Sequence, residues 1–314
     1  LIKKLLTIII LLSSVSLMAE DFINWRGPEN LDSLQFHIQE SFYFSDINSD
    51  TYDWSNKTYN SLSSDRKPYY DLTSYTIIGF GIIKELEFFM ILPLVHKEHT
   101  DGGLDTDPIT ALGDFTLFIR GYILKGSFKL NASIWVNFPT GSVDSGSTSS
   151  FLQTTNRTYD VGLGLIAAYD FGNGLSLDAT FAYVFNTNYS YRILITDYTV
   201  DNGDNIIYSL TANYKFLSKF RIGLMFSGKY TSQLKLQTNS GTFDSQAETE
   251  IHRFYITPIL GFSPSENLTL NLKFLFVIPP LCYGGTNTNL SYAGINQGLE
   301  IVRIGLDVIY KFKI

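Results

Sequence analysis

The four histidines of this chain, at positions 37, 96, 99 and 252, are its best candidates for acid–base or metal chemistry. Hydrolysis of an ester needs a base within hydrogen-bond reach of a nucleophile. His37 has Ser41 four residues away on the same face of an extended segment. That spacing spans about 13 Å along a strand, too far for a hydrogen bond. His96 and His99 lie beside Glu98 and Asp101, residue types that could form a weak metal site. The Asp- and Gly-rich surroundings read first as a polar loop. Cys282 is the single cysteine, with no histidine or second cysteine beside it. It allows no intrachain disulfide and reads as an incidental thiol. No nucleophile elbow, phosphate loop or paired-cysteine metal motif is present. The sequence therefore predicts no catalytic residue, no metal and no cofactor.

A second set of residues carries charge at alternate positions of apolar segments. Arg120, Lys129, Lys215, Arg221, Lys229, Arg253, Lys273, Arg303 and Lys311 fall on one face of their strands, with Glu87, Asp114, Asp160, Asp178 and Asp307. Charges inside a barrel pair with one another or contact water. The same charges can line a pore and set its selectivity. The two roles are compatible. The excess of cations over acids predicts a weak anion preference if the lumen conducts. The candidates for the lumen lining are Arg120, Lys129, Trp135, Asp178, Arg221, Lys229, Lys273, Arg303 and Asp307. Apolar residues share that face: Phe89, Ile91, Phe118, Ile166, Met225, Leu275 and Ile309. They either plug the lumen by packing or line a path for small apolar solutes.

The elements that position these residues are about twelve alternating segments. In Phe128-Lys129-Leu130-Asn131-Ala132-Ser133-Ile134-Trp135-Val136-Asn137-Phe138, one face is wholly apolar and the other mostly polar. Successive side chains of a strand point to opposite faces. Predicted strands cover residues 34–44, 71–81, 85–97, 113–124, 128–138, 159–170, 175–186, 206–216, 220–234, 251–262, 267–278 and 300–312. Long polar loops alternate with turns of about four residues, the pattern of a transmembrane β-barrel. The expected fold is all-β: an antiparallel up-and-down barrel of about 12 strands with both termini periplasmic. Glu40 falls on the lipid face, where a bulge could reassign it. Pro93 and Pro258 lie inside strands, remove ladder donors and predict bulges there.

Residues 1–19 resemble a secretory signal peptide, with Lys3 and Lys4 before an apolar run and small residues after it. Residues 20–32 then form a periplasmic segment, able to enter the lumen from below, and residues 33–314 form the barrel. No stretch has the roughly 18 apolar residues of a membrane-spanning helix. The chain has 24 Phe and 20 Tyr with only 17% charged residues, which suits lipid-facing strands and interfacial girdles. Net charge is −7, with acids concentrated in the long loops, which argues against nucleic acid as a partner. The expected partners are outer-membrane lipid, a small-molecule solute and, through the terminal strand ending in Tyr310 and Phe312, the barrel-assembly machinery. No subunit patch is evident, so a monomer is the simplest expectation.

Two short motifs carry a resemblance. Ala111-Leu112-Gly113-Asp114-Phe115-Thr116-Leu117 resembles the Gly-Leu-Gly-Asp-Leu strand of a family of outer-membrane transporter proteins associated with the meta-pathway of phenol degradation. Asn137-Phe138-Pro139-Thr140-Gly141-Ser142 is similar to that family's following strand, which ends in Leu-Pro-Thr-Gly. Tyr159-Asp160-Val161-Gly162-Leu163-Gly164 and Gly172-Asn173-Gly174-Leu175 fit as well. The motif positions Gly113, Asp114, Pro139, Thr140 and Gly141 read first as architecture. The resemblance implies a barrel of this size and uptake of aromatic or other small hydrophobic compounds. A passive outer-membrane channel is the leading expectation. A closed structural or surface-binding barrel and a lipid-modifying enzyme are the alternatives.

Overall fold

The computed structural model describes residues 30–47, 51–53, 58–60, 69–98, 100–101, 104–105, 108–141, 155, 157–193, 196–239, 241–245, 250–278, 283–284 and 302–313. The signal-like run, residues 20–29, His99 and Cys282 lie outside them. Twelve strands form the wall: β1 (Gln35–Ile47), β2 (Tyr69–Ile83), β3 (Leu86–Glu98), β4 (Phe115–Leu124), β5 (Phe128–Phe138), β6 (Asp160–Asp170), β7 (Leu175–Asn186), β8 (Asn205–Phe216), β9 (Phe220–Thr231), β10 (Ile251–Phe262), β11 (Leu268–Val277) and β12 (Val302–Lys313). Each pairs antiparallel with its sequence neighbours, and β12 closes on β1 with Gln35 opposite Lys313. Closure removes the unpaired edges that a bilayer cannot solvate. The start of β1 and the end of β12 share the short-turn end of the barrel.

Period-two sequence becomes two surfaces. Along β6, Asp160, Gly162, Gly164, Ile166 and Ala168 are buried, while Leu163, Leu165 and Tyr169 are exposed. An outer face of Leu, Ile and Phe has no second protein layer over it among the described residues. Aromatic rings collect at both rims of that face. Phe216, Phe220 and Phe262 stack along the turn end, and Phe115, Phe138 and Tyr159 follow one another along the loop end. Aromatic rings at the two interfaces are what a membrane barrel presents.

Strands β5, β7 and β10 have the predicted limits. Strand β4 does not. Residues 109–112 already pair with β3, and the ladder with β3 resumes only at Thr116. Three residues, Gly113, Asp114 and Phe115, therefore face Leu92 and Pro93, which is the bulge expected at Pro93. Gly113 donates its N–H to the Pro93 carbonyl at 2.9 Å, and a Cβ there would sit 2.8 Å from Pro93 Cγ. At Pro258 the expectation fails. Pairing of β10 with β11 lapses between Ile256 and Ile259 but resumes in the same register, so the wall absorbs the missing donor without an extra residue. Glu40 is not reassigned either, because β1 keeps continuous register on both sides. It stays on the outer face, where Ser74 and Thr76 of β2 donate hydroxyl hydrogen bonds to its two oxygens.

The loops also contain more structure than their composition indicated. Residues 189–193 and 196–201 form a hairpin, and residues 235–238 and 244–245 join it as a four-stranded sheet above β7–β10. Tyr189, Val200 and Leu234 form its small buried core. Strand β9 accordingly ends at Thr231 rather than at 234, since the chain turns there into this second sheet.

Candidate functional site: the barrel lumen

The inner face divides into two sectors. From β2 to β8 it is filled by Ile77, Phe89, Ile91, Phe118, Trp135, Ile166, Ala182, Val184 and Ile207, all nearly inaccessible. Phe89 meets Phe118 edge-on with centroids 6.0 Å apart, and Phe118 stacks on Trp135 at 5.9 Å. Such ring pairs add to the stabilisation that area burial provides. Trp135 fits only because its partner on β6 is Gly162, where a Cβ would lie 1.9 Å from the indole. Gly79 makes room for Phe89 in the same way.

The opposite sector, β9 to β12, is basic. Its described inward side chains include Arg221, Lys229, Arg253, Lys273, Arg303 and Lys311 against one carboxylate, Asp307. Lys273 and Asp307 form an ion pair of 2.5 Å, both almost fully buried. Tyr43 donates to Asp307 at 3.1 Å and accepts from Lys273 at 3.3 Å. The Arg303 guanidinium lies 6.0 Å over the Tyr43 ring. Arg221 donates to Asn271 Oδ1 at 2.9 Å. It reaches across β10 because Gly261 leaves the space.

The remaining charges sit with the apolar sector. Arg120 pairs with Glu87 at 2.5 Å, both with no exposed surface. Glu87 Oε2 also accepts the Leu31 N–H at 2.7 Å. Leu31 is buried among the lumen side chains, and Asn30 hydrogen-bonds Tyr122 and the Glu85 carbonyl. The segment just before β1 thus enters the turn-end mouth. Asp178 accepts from Asn213 at 2.8 Å, and Lys129 is half-buried near the same mouth. Asp160 accepts from Thr158 at 2.7 Å and from Asn137 at 3.2 Å.

The two sequence motifs clasp each other. Thr140 Oγ1 accepts the Phe115 N–H at 2.9 Å and donates to the Gly113 carbonyl at 3.1 Å. Asp114, almost fully buried, accepts the Gly141 N–H at 3.0 Å. Pro139 precedes this clasp at the end of β5, where a residue without an N–H leaves the ladder without loss. Gly113, Asp114, Pro139, Thr140 and Gly141 together terminate the β4–β5 hairpin at the loop-end rim.

The described histidines, His37, His96 and His252, lie apart, each with its own polar partner. His37 and Ser41 are bridged by Gln39, which accepts from His37 Nε2 at 3.1 Å and donates to Ser41 at 2.7 Å. An amide in that position holds geometry but is no base. His96 faces Thr110 at 2.7 Å, and no group of three metal-ligating residues occurs among the described residues. Tyr43 and Leu31 were missed as lumen residues of interest. For Tyr43 the signal was available, since it occupies an inward position of β1. For Leu31 there was none, because its place depends on Glu87, 56 residues away.

At mid-height the inward face is crowded: Phe118 and Trp135 on one side and Ser209, Met225, Thr257 and Lys273 on the other are each at most 6% exposed.

Solved structures with this architecture are outer-membrane proteins. The COG4313 outer membrane channel from Pseudomonas putida F1 aligns with a TM-score of 0.67 at 12% identity, over 91% of this chain and 98% of that one. A TodX monoaromatic hydrocarbon channel mutant aligns with a TM-score of 0.52 at 10% identity, over 92% and 93%. At such identities the likeness is one of fold, a closed antiparallel β-barrel of the kind found in outer-membrane channels. No curated protein matches it. Residues 70–280, more than half of the chain, match the family described as Putative MetA-pathway of phenol degradation, and the chain belongs to that family.

Proposed function

We propose that this protein is a passive channel of the bacterial outer membrane for small solutes, aromatic or hydrophobic compounds among them. It uses no ATP and no cofactor, and it does no covalent chemistry. The long loops face the cell exterior and both termini the periplasm. The terminal strand, with Tyr310 and Phe312 on its outer face, is read by the barrel-assembly machinery, and the folded barrel works as a monomer.

The observation that carries this reading is the division of the lumen. A structural barrel needs only to fill its interior, and the packed sector from β2 to β8 does that. Among the described residues, the sector from β9 to β12 carries six inward cations against the single carboxylate Asp307, more charge than filling requires. Charged groups are costly inside a membrane protein and recur where ions or polar solutes pass. The association of the family with phenol degradation supports an aromatic solute.

The crowding of the inward face at mid-height favours a second reading, a sealed structural barrel. Planar bilayers separate the two. The channel reading predicts discrete conductance steps after insertion of the full chain. It also predicts faster entry of small aromatics into liposomes that contain the protein. A folded, inserted barrel that never passes ions or solute would defeat it. Hydrolysis of labelled phospholipid that is lost in His37→Ala would revive an enzyme.

A further inference from the structure

Two pairs of like charges face each other across the inner wall. Lys229 of β9 lies directly opposite Arg253 of β10, and Arg221 of β9 lies directly opposite Lys215 of β8. Directly opposed side chains have Cβ atoms about 5 Å apart, where like charges repel. One pair flanks the loop-end half of the lumen and the other the turn-end half. Met225 lies midway on the same strand, four residues from each. That is about 13 Å in either direction along an extended chain.

The wall between the two pairs is more polar than the facing wall. Its inward residues include Ser209, Thr211, Asn213, Gly223, Ser227 and Thr257, with Tyr255 and Ile259 beside them. Thr257 is fully buried, and its hydroxyl has no hydrogen-bond partner among the described residues. Met225, directly opposite both Thr211 and Thr257, is the one unbranched apolar side chain in that stretch, flanked on β10 by Tyr255 and Ile259. Methionine is unbranched and adaptable, and it changes rotamer more readily than interlocked rings. The facing wall, with Phe89, Phe118 and Trp135 stacked in series, is fixed by contrast.

We propose that solute crosses off the barrel axis, along the β8–β10 wall, and that the preferred solute is a small organic anion with an apolar body. Its charge is held first by Lys229 and Arg253 and then by Arg221 and Lys215, while the apolar body slides against the aromatic sector. Met225 is the movable constriction between the two stations. This inference rests on the channel reading and adds to it the charge of the solute and the position of the path.

Full-length protein in planar bilayers under a KCl gradient tests it. The wild-type reversal potential is expected on the chloride side, a measurement that depends on no variant. The Lys229→Gln/Arg253→Gln protein should lose about fivefold in chloride-over-potassium permeability, and Lys229→Arg/Arg253→Lys should retain it. Met225→Ala should raise conductance and Met225→Trp should lower it, each about twofold or more. In liposomes carrying wild-type protein, benzoate should enter faster than phenol relative to protein-free controls. A conducting channel that prefers potassium, ignores the Gln pair or is indifferent at Met225 overturns the proposed path and leaves the channel standing. An inserted barrel without any conductance removes the channel reading itself, and this inference with it.

Discussion

Glu87 and Arg120 face each other across β3 and β4 at 2.5 Å, with no exposed surface on either side chain. Glu87 also anchors the Leu31 N–H. Removing one partner of such a pair leaves a buried charge uncompensated, at a cost of about 3–5 kcal/mol. Arg120→Met should therefore lower stability by that order in urea unfolding from detergent or lipid. Glu87→Gln/Arg120→Met should recover most of the loss, since Gln keeps an acceptor for Leu31 and the buried charge is gone. A single variant as stable as wild type would show that the pair contributes nothing.

Leu31 reports whether the segment before β1 stays in the mouth. Its side chain is 1% exposed although it lies outside the wall. In a Cys282→Ala background, Leu31→Cys should react with a soluble maleimide far more slowly than Ser265→Cys, which sits on an exposed turn. Adding Glu87→Ala, which deletes the docking acceptor, should bring the two rates together. Equal rates in the parent protein would mean that the segment leaves the lumen freely.

The fit of Trp135 against Gly162 predicts strong sensitivity at a residue with no side chain. A Cβ at 162 would overlap the indole, so the ring or the strand must move. Overpacking of this kind costs about 1–3 kcal/mol. Gly162→Ala should lower the urea midpoint accordingly, and Gly162→Ala/Trp135→Leu should regain part of it. If Gly162→Ala is neutral, Trp135 is not locked and the aromatic sector is less rigid than its ring contacts indicate.

Why some of this was legible and some was not follows from what each feature depends on. Strands such as Phe128–Phe138 and Leu175–Asn186 could be read because alternation is local: each residue declares its own face. The inward positions of Arg120, Trp135 and Lys273 followed from the same parity. Their partners did not. The bulge at Gly113 depends on how β4 lies against β3, and the bridge from Tyr43 to Asp307 joins residues 264 apart. Glu40 looked misplaced because Ser74 and Thr76, which satisfy it, are on another strand. The hairpin above the loop end pairs two loops whose composition alone reads as turn and coil.

The clasp between the family motifs predicts a rim defect rather than a transport defect. Thr140→Val removes both hydrogen bonds made by the hydroxyl, and Asp114→Ala removes the acceptor for Gly141. Each lost bond should cost about 1 kcal/mol. Both variants should show a lower urea midpoint and faster proteolysis after residue 141, with unit conductance close to wild type. A large change in conductance with unchanged stability would instead place Asp114 in the path.

The decisive energetic asymmetry belongs to the outer face. Leu165 is 47% exposed near the middle of β6, directly opposite exposed Phe181 of β7. If hydrocarbon covers these residues, Leu165→Arg places a guanidinium near the bilayer midplane, at a cost of about 2–4 kcal/mol. If water covered them, the same change on an exposed strand position would fall within about 0.5 kcal/mol. Reversible unfolding from phospholipid vesicles distinguishes the two, with Leu217→Arg at the exposed β8–β9 turn as the control that should cost little in either case. The outcome is independent of any solute. It depends only on which medium touches the apolar side of each strand, and a neutral Leu165→Arg would withdraw the membrane from the account together with every role assigned to the lumen.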